Sequence, residues 1–190
     1  MTMRKLLLVV LLLVVVAAAE PIDIAILVAD YYHFSELHQA LDADPRIGWV
    51  NRISISDSLP LLEHLQNYDC VVNDGFYTVC DPDAFGDLLA DYVDGGGSVL
   101  CVSWAMVGSY DSNGGSPTGR WETDGYCPYE CTSSSLLLSF ADLIIDEPGH
   151  PVMNGVSAVD NVWGRVQTSL RSGAYELAHF TDAGGVAVNE

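Results

Sequence analysis

The sequence of 190 residues predicts an α/β protein with a parallel β-sheet covered by helices on both faces. Two observations support this fold class. Apolar runs of strand length alternate along the chain with amphipathic segments of helix length, which is the order that βα units give. The first such run, residues 22–29, is apolar at every position except Asp23 and does not alternate, which is typical of a parallel strand buried on both faces.

The elements that follow keep this alternation. Ser35 is suited to cap a helix that extends to about residue 43, and the alternating segment 47–55 is predicted as a second strand nearer a sheet edge. A short helix is expected from about residue 58. Residues 69–73 (DCVVN), which have an apolar centre, then predict a third strand.

The best-defined helix is predicted at residues 81–94. Asp81 is a favourable cap, Pro82 fits the first turn, and apolar residues recur at helical spacing behind them. Glycines 95–97 are expected to end the helix, because glycine exits a helix in the left-handed conformation at little cost. Residues 98–104 are predicted as the fourth strand.

The pattern breaks at residues 105–135, a polar stretch rich in Gly, Ser and Tyr. A structureless loop of that length is usually functional or disordered, so we expect a long loop insertion. Regular structure is expected again at residues 136–145, and another segment is expected to begin at His150. Two strands are predicted near the end, at residues 175–180 and 185–188. Because the last strand stops in mid-pattern, the sequence predicts a fragment of a longer protein, truncated at the C-terminal edge of its sheet.

Residues 1–19 have the pattern of a removable secretory signal. Arg4 and Lys5 precede an apolar run, and alanines 17–19 resemble a cleavage site. The apolar run is shorter than the roughly 18 residues that a membrane-spanning helix needs. The sequence therefore predicts a signal peptide at 1–19 and one exported domain at 20–190, secreted, on the cell surface or periplasmic, with no membrane contact after cleavage.

The charge of the chain is strongly negative. Seven Lys and Arg residues stand against 26 Asp and Glu residues, which gives a formal net charge of −19. Nucleic acid is excluded as a partner, because its affinity for proteins is built from Lys and Arg contacts. Two interpretations of the acidic surface remain open: adaptation to a salty medium, or ordinary solvated faces.

The five cysteines divide into two groups. Cys70 and Cys101 lie in apolar runs and are predicted to be buried thiols, whereas Cys80, Cys127 and Cys131 lie in loop-like sequence. If the third and fourth strands are neighbours, these loops emerge at the same sheet edge, where a cross-link would restrict the unfolded chain. We therefore expect a disulfide from Cys80 to Cys127 or Cys131, with Cys127–Cys131 as the alternative. Zinc is not favoured, because no second cysteine pair has metal spacing.

The insertion also contains a partial calcium-loop pattern. Asp111, Asn113 and Glu122 occupy positions 1, 3 and 12 of that spacing. Gly115 and Ser116, at positions 5 and 6, depart from it. An ordinary polar loop is the alternative, and no other cofactor is expected.

Two motifs carry a family resemblance. The segment ADYVDGGGSVLCVSW and the later segment GHPVMNGV resemble the class I glutamine amidotransferase-like superfamily, most closely its ThuA-like (trehalose-utilisation protein) group. The resemblance spans roughly residues 22–188 and implies a flavodoxin-like three-layer sandwich with a parallel central sheet. The catalytic motifs of the superfamily are missing: residues 102–106 lack the glycines of a nucleophile elbow, and His150-Pro151 is followed by Val152 rather than Glu.

A binding crevice is predicted at the carboxyl ends of the strands, where open parallel sheets hold their ligands. The side chains expected there are Asp30, His33, Asp74, Tyr77, Ser103 and Trp104. Aromatic rings and carboxylates around a crevice suit a saccharide. The alternative is a polar loop rim closed by aromatic packing.

Two functions follow as hypotheses. The first is a non-catalytic, exported amidotransferase-like domain of a longer protein that binds a saccharide, another small molecule, a protein partner or further domains of its own chain. The second is a sugar-processing hydrolase with Ser103 as nucleophile, His33 or His150 as base, and Asp30 or Asp74 as the orienting group. His150, which precedes a proline, is expected to be a structural hydrogen-bonding residue instead.

Overall fold

The structure, a computed structural model, describes residues 20–29, 35–74, 78–106, 116–130, 135–160 and 162–189. Its first half comprises β1 (Ile22–Val28), α1 (Ser35–Asp42), β2 (Ile47–Ser54), α2 (Leu62–Leu65), β3 (Cys70–Asp74), α3 (Pro82–Asp94) and β4 (Ser98–Cys101). Its second half comprises α4 (Gly119–Thr123), β5 (Ser135–Ala141), β6 (Ile144–Ile145), β7 (Val162–Gln167), β8 (Tyr175–Phe180) and β9 (Ala183–Val188). Short 3₁₀ helices cover Ser103–Met106 and Pro151–Met153.

Strands β1 to β4 form one four-stranded parallel sheet in the order β2-β1-β3-β4. In its register, Val28 lies beside Asp74 and Asn73 lies beside Cys101. Helices flank this sheet, which confirms the predicted flavodoxin-like α/β sandwich.

Each face of the sheet has its own apolar core, because successive side chains of a strand point to opposite faces. Ile24, Ile26 and Val28 of β1 pack on one face, where Leu37 and Leu41 of α1 cover them. On the other face, Ala25 and Leu27 belong to a larger core that also contains Leu65, Phe85, Leu89 and Tyr92. The unbroken apolar sequence from Ile24 to Val28 of β1 follows from this burial on both sides.

Helix α3 has the ends that its sequence predicts. The side chain of Asp81 accepts a hydrogen bond from the Ala84 amide at 3.0 Å, and Pro82 occupies the first turn. The chain leaves the helix through Gly96, whose φ of +95° lies in the left-handed region that favours glycine. Phe85 and Leu89 are fully buried, which stabilises the fold by roughly 1.5–3 kcal/mol for each side chain.

Three predicted elements differ from the structure. Strand β4 ends at Cys101 rather than Trp104, because the chain turns into a 3₁₀ helix that buries Ala105 and Met106. The predicted loop insertion contains a helix, α4. The segment predicted at 136–145 is divided into β5 and β6.

The strands after the insertion do not extend the parallel sheet. They form two antiparallel sheets, one of β5 and β7 and one in the order β6-β8-β9. Strand β7 was not predicted, since Gly164, Arg165 and Gln167 interrupt its apolar pattern. In the part of the chain that the structure describes, no helix is long and apolar enough to cross a membrane.

Candidate functional site

The carboxyl ends of β1, β3 and β4 lie side by side, as the predicted crevice requires. Asp74 closes β3 there and is buried, with 1% of its surface exposed. Asp30, His33 and Tyr77 lie outside the described residues. For Ser103 and Trp104 the structure describes a backbone in the 3₁₀ helix and no side chain. The edge of the sheet is therefore in place, but of the predicted ligand-binding side chains only that of Asp74 is described.

His150 and Glu122 are both engaged in structural contacts. The Nδ1 atom of His150 accepts a hydrogen bond from the Val152 amide at 3.2 Å and so caps a 3₁₀ helix, the structural role expected of it. The carboxylate of Glu122 forms an ion pair with Arg171 at 2.6 Å. Its predicted calcium-loop partners, Asp111 and Asn113, lie outside the described residues. Among the residues that are described, no cluster of three or more candidate ligands forms a metal site.

The cysteines are arranged differently from the prediction. Cys80 is exposed and carries a free thiol, so the disulfide expected from it is not present in the structure, and Cys131 lies outside the described residues. Cys127 is instead completely buried. Cys127 belongs to the larger apolar core of the sheet, whereas Cys80 lies on the surface.

Cys127 contacts the thiol of Cys101 on β4. The hydrogen bond between these two thiols, together with burial, raises the pKa of Cys101 well above its usual value. The side-chain amide of Asn73 lies 3.9 Å from the Cys101 sulfur. Burial also raises the pKa of Cys70. Both thiols that were predicted to be buried are therefore protonated at neutral pH.

An apolar groove of about 530 Å³ lies between the outer edges of β4 and β9, and we call it the β4–β9 groove. Residues 97–101 form one wall and residues 185–189 form the other. The aromatic and thioether side chains that line it between these walls include Met106, Trp121, Tyr126 and Tyr129. Its volume lies in the range of roughly 300–1,000 Å³ that is usual for ligand pockets.

Both walls of the groove are strand edges. Among the described residues, β4 is an edge strand of the parallel sheet, and β9 is an edge strand of the β6-β8-β9 sheet. The amides of Ser98 and Val102 donate to carbonyls of the β3 segment at 3.4 and 3.1 Å. Because backbone groups alternate in direction along a strand, the N–H and C=O groups of Val99 and Cys101 face away from β3 and towards the groove.

Two aromatic side chains of the groove carry polar groups. Trp121 is 3% exposed and stacks on Tyr126, and its indole N–H has no hydrogen-bond partner among the described residues. Tyr129 donates to the Glu176 carboxylate at 2.7 Å and accepts from the Gly185 amide at 3.1 Å. Burial and the Glu176 bond raise the pKa of Tyr129, so its hydroxyl stays protonated and joins the groove to β8 and β9.

Helix α4, which carries Trp121, is held by a row of acidic side chains on α3. These are Asp83, Asp87, Asp91 and Asp94, spaced so that they share one side of the helix. The backbone amide of Arg120 donates to Asp87 at 2.8 Å. Its guanidinium group contacts Asp91 at 2.5 Å and Asp94 at 2.7 Å. These acids therefore position one side of the groove. The interpretation of the acidic residues as ordinary solvated faces did not predict this role.

A glycine allows α4 to approach α3 closely. A Cβ atom at Gly86 would lie 1.8 Å from the Thr118 carbonyl oxygen. The Thr118 amide in turn donates to the Pro82 carbonyl at 3.0 Å. The groove thus depends on a backbone contact that only glycine permits at this position.

The sequence matches no protein-family profile and no curated protein. Solved structures share its fold, among them two from Salmonella typhimurium. The cytoplasmic protein STM3548 from Salmonella typhimurium has a TM-score of 0.61 at 15% identity, over 87% of this chain and 81% of that one. The cytoplasmic protein STM1381 from Salmonella typhimurium LT2 has a TM-score of 0.63 at 14% identity, over 87% and 82%. At such identities the likeness shows the fold alone.

The comparison corrects one group of predictions. Both similar structures are described as cytoplasmic proteins, which contradicts the predicted export and its secreted, cell-surface or periplasmic location. The prediction of an exported saccharide-binding domain is wrong on the same finding, and the similar structures give no support for its sugar-processing alternative. Residues 1–19, from which export was predicted, lie outside the described residues.

Proposed function

We propose that this chain is a peptide-binding domain whose β4–β9 groove takes an extended, apolar segment of a partner protein as an added strand. One observation carries the proposal: an apolar groove of about 530 Å³ has strand edges as both walls. In strand addition, main-chain hydrogen bonds give affinity and pockets for alternate side chains give selectivity. The groove-facing backbone of Val99 and Cys101 supplies the main-chain hydrogen bonds, and the apolar lining of the groove supplies the side-chain pockets.

The length and chemistry of the partner segment follow from the groove. Strand β4 has four residues, so at about 3.3 Å per residue it pairs with a segment of about four to six residues. Its alternate side chains are apolar, since they meet Met106, Trp121 and Tyr126. Lys or Arg residues on either side of this segment would strengthen binding, because the chain has a net charge of −19.

We retain the amidotransferase-like superfamily as a proposed relationship. The parallel sheet of flavodoxin-like order supports it. The sequence lacks the elbow glycines around Ser103 and a glutamate after His150-Pro151, which the catalytic members of the superfamily have. A domain that binds a peptide but does not carry out amidotransferase chemistry agrees with this. The proposed peptide site lies along the lateral edge of the sheet and requires no catalytic residue.

A binding measurement with paired variants tests this function. The probe is a fluorescein-labelled peptide that alternates valine with threonine between terminal lysines, and its affinity is measured by fluorescence anisotropy. Val99→Pro removes the groove-facing N–H at an edge where proline is tolerated, whereas Val99→Ala keeps that N–H. We expect Val99→Pro to weaken binding at least about tenfold, and Val99→Ala to weaken it less. Equal affinities of Val99→Pro and wild type would contradict strand addition.

A variant of the peptide gives the same test without altering the protein. Methylation of alternate peptide nitrogens removes the donors that would pair with β4 and leaves every side chain in place. We expect the methylated peptide to bind at least about tenfold more weakly than the parent, since several hydrogen bonds are lost together. If the two peptides bind equally, side-chain contacts alone account for the affinity and the proposed mode is wrong.

A further inference from the structure

The sheet formed by β5 and β7 exposes large apolar side chains to water. Phe140 of β5 and Trp163 of β7 are cross-strand partners whose ring centroids lie 5.1 Å apart, and they are 66% and 54% exposed. Leu138, two residues earlier on β5, is 51% exposed. We call these three side chains the β5–β7 patch. A sheet face that meets water is normally polar, so adjoining exposed apolar rings mark an interaction surface.

The β5–β7 patch is separate from the proposed peptide site and is not needed to attach its sheet to the protein. None of the described residues of β5 and β7 lines the β4–β9 groove. Val166 of β7 belongs to the larger apolar core, and Arg165 binds Asp182 in the turn between β8 and β9. The sheet is therefore held in place by residues outside the patch.

The charge of the chain limits what can cover the patch. Strands β5 (SLLLSFA) and β7 (VWGRVQ) contain no Asp or Glu, although the chain has a net charge of −19. Their one charged residue, Arg165, is buried and paired with Asp182. A basic partner would gain little at this surface, because the charges that would attract it lie elsewhere. Two copies of this acidic chain, in contrast, repel each other least where acidic side chains are absent.

The exposed area is that of a weak dimer. An aromatic side chain buries roughly 150–250 Å² when it is fully enclosed, so the three side chains offer roughly 300–400 Å² on each copy. Two copies would together bury about 600–800 Å² from the patch alone, which is less than the roughly 1,200–2,000 Å² of stable complexes. We therefore expect a dissociation constant on the order of 10–100 µM.

We propose that the β5–β7 patch is the contact surface of a weak two-fold dimer of this chain. In a two-fold dimer the same patch of each copy meets its equivalent, so Phe140 and Trp163 of one copy pack against the same residues of the other. Aromatic rings suit this contact because they pack on one another in offset or edge-to-face arrangements.

Two acidic residues at the rim make the dimer salt-dependent. Asp142 follows β5, Asp160 precedes β7, and both are exposed. Because Ala141 pairs with Val162, these two acids lie at the same end of the sheet. The negative charge of the two copies opposes association at low salt, and high salt screens this repulsion.

Sedimentation equilibrium of the full chain tests the dimer, over concentrations from about 1 to 300 µM that bracket the expected dissociation constant. We expect the average mass to rise from one chain to two, and the dissociation constant to fall at least about threefold in 1 M NaCl. The double change Phe140→Ser, Trp163→Ser should weaken the dimer at least about tenfold. Trp49→Ser is the matched control, because Trp49 is 70% exposed on β2 of the other sheet. A wild-type chain that stays monomeric throughout, or equal weakening by the control, would overturn the proposal.

Hydroxyl-radical footprinting of the wild-type chain locates the contact without relying on a variant that must fold. Oxidation of Phe140 and Trp163, measured by mass spectrometry of peptides, should fall at least about threefold between dilute and concentrated protein, since contact excludes the radical along with water. Oxidation of Trp49 should stay constant. Unchanged oxidation of Trp163 in a sample that sedimentation shows to be dimeric, or equal protection of Trp49, would show that the copies meet elsewhere and would overturn the proposed surface.

Discussion

Asp182, in the turn between β8 and β9, forms a two-point ion pair with Arg165 of β7: Nη2 lies 2.7 Å from Oδ2, and Nε lies 3.1 Å from Oδ1. Arg165 is 2% exposed, lies over the Phe180 ring and donates to the Ser139 hydroxyl of β5 at 3.0 Å. One buried guanidinium therefore joins the two antiparallel sheets. The hydrogen bond from Arg165 lowers the pKa of Asp182.

A double-mutant cycle tests this ion pair. Asp182→Asn leaves the buried Arg165 charge without its counter-charge, which is costly because a buried charge needs compensation. We expect Asp182→Asn to lower the urea midpoint more than Arg165→Met does, and the double variant to recover part of the loss. Strictly additive effects would show that the two side chains are not energetically coupled.

Gly86→Ala tests the close packing of α4 on α3. Within a helix, replacing glycine with alanine normally stabilises by up to about 1 kcal/mol. Here the new methyl group would meet the Thr118 carbonyl, so we expect a net loss of about 1–3 kcal/mol in the free energy of unfolding. Gly149→Ala is the control, because a Cβ there meets nothing within 4 Å. A stabilised Gly86→Ala protein would refute this helix contact.

The acidic row on α3 predicts a salt-dependent effect of Arg120. Arg120→Gln removes the cation that lies among Asp91, Asp94 and Asp124. We expect a lower thermal midpoint at low salt and a smaller difference from wild type in 1 M NaCl, because salt screens exposed charges. Arg46→Gln, which breaks one local and exposed pair, should have little effect at either salt concentration. A deficit of Arg120→Gln that does not change with salt would contradict the electrostatic explanation.

The contact between His179 and Asp146 predicts a pH dependence. Their Nδ1 and Oδ2 atoms lie 2.7 Å apart, and this hydrogen bond raises the pKa of His179 above its usual 6.5. Folding therefore favours the protonated ring. The resulting stability is fully present below about pH 6.5 and is lost as the pH rises through the raised value. We expect wild type to exceed Asp146→Asn in stability at pH 6 and to lose that advantage by pH 9, measured by urea unfolding. An advantage that is constant over this range would rule out His179 as its source.

The parallel half of the fold was predictable because its signals are local. Asp81, Pro82 and the apolar spacing behind them define α3 without reference to the rest of the chain. The position of Cys127 was not predictable, because it depends on α4 packing against a row of acids that begins about 35 residues earlier. The groove was also missed, since its walls lie about 85 residues apart in sequence and no motif marks a strand edge.

Amide hydrogen exchange on β4, resolved by NMR with and without a saturating peptide, shows whether a peptide adds to β4 as a strand. The amides of Ser98 and Val102 already donate to the β3 segment and serve as internal controls. If a peptide adds as a strand, exchange at Val99 and Cys101 slows by at least about tenfold, while Ser98 and Val102 change little. Unchanged exchange at Val99 and Cys101 with the peptide fully bound would rule out strand addition at β4.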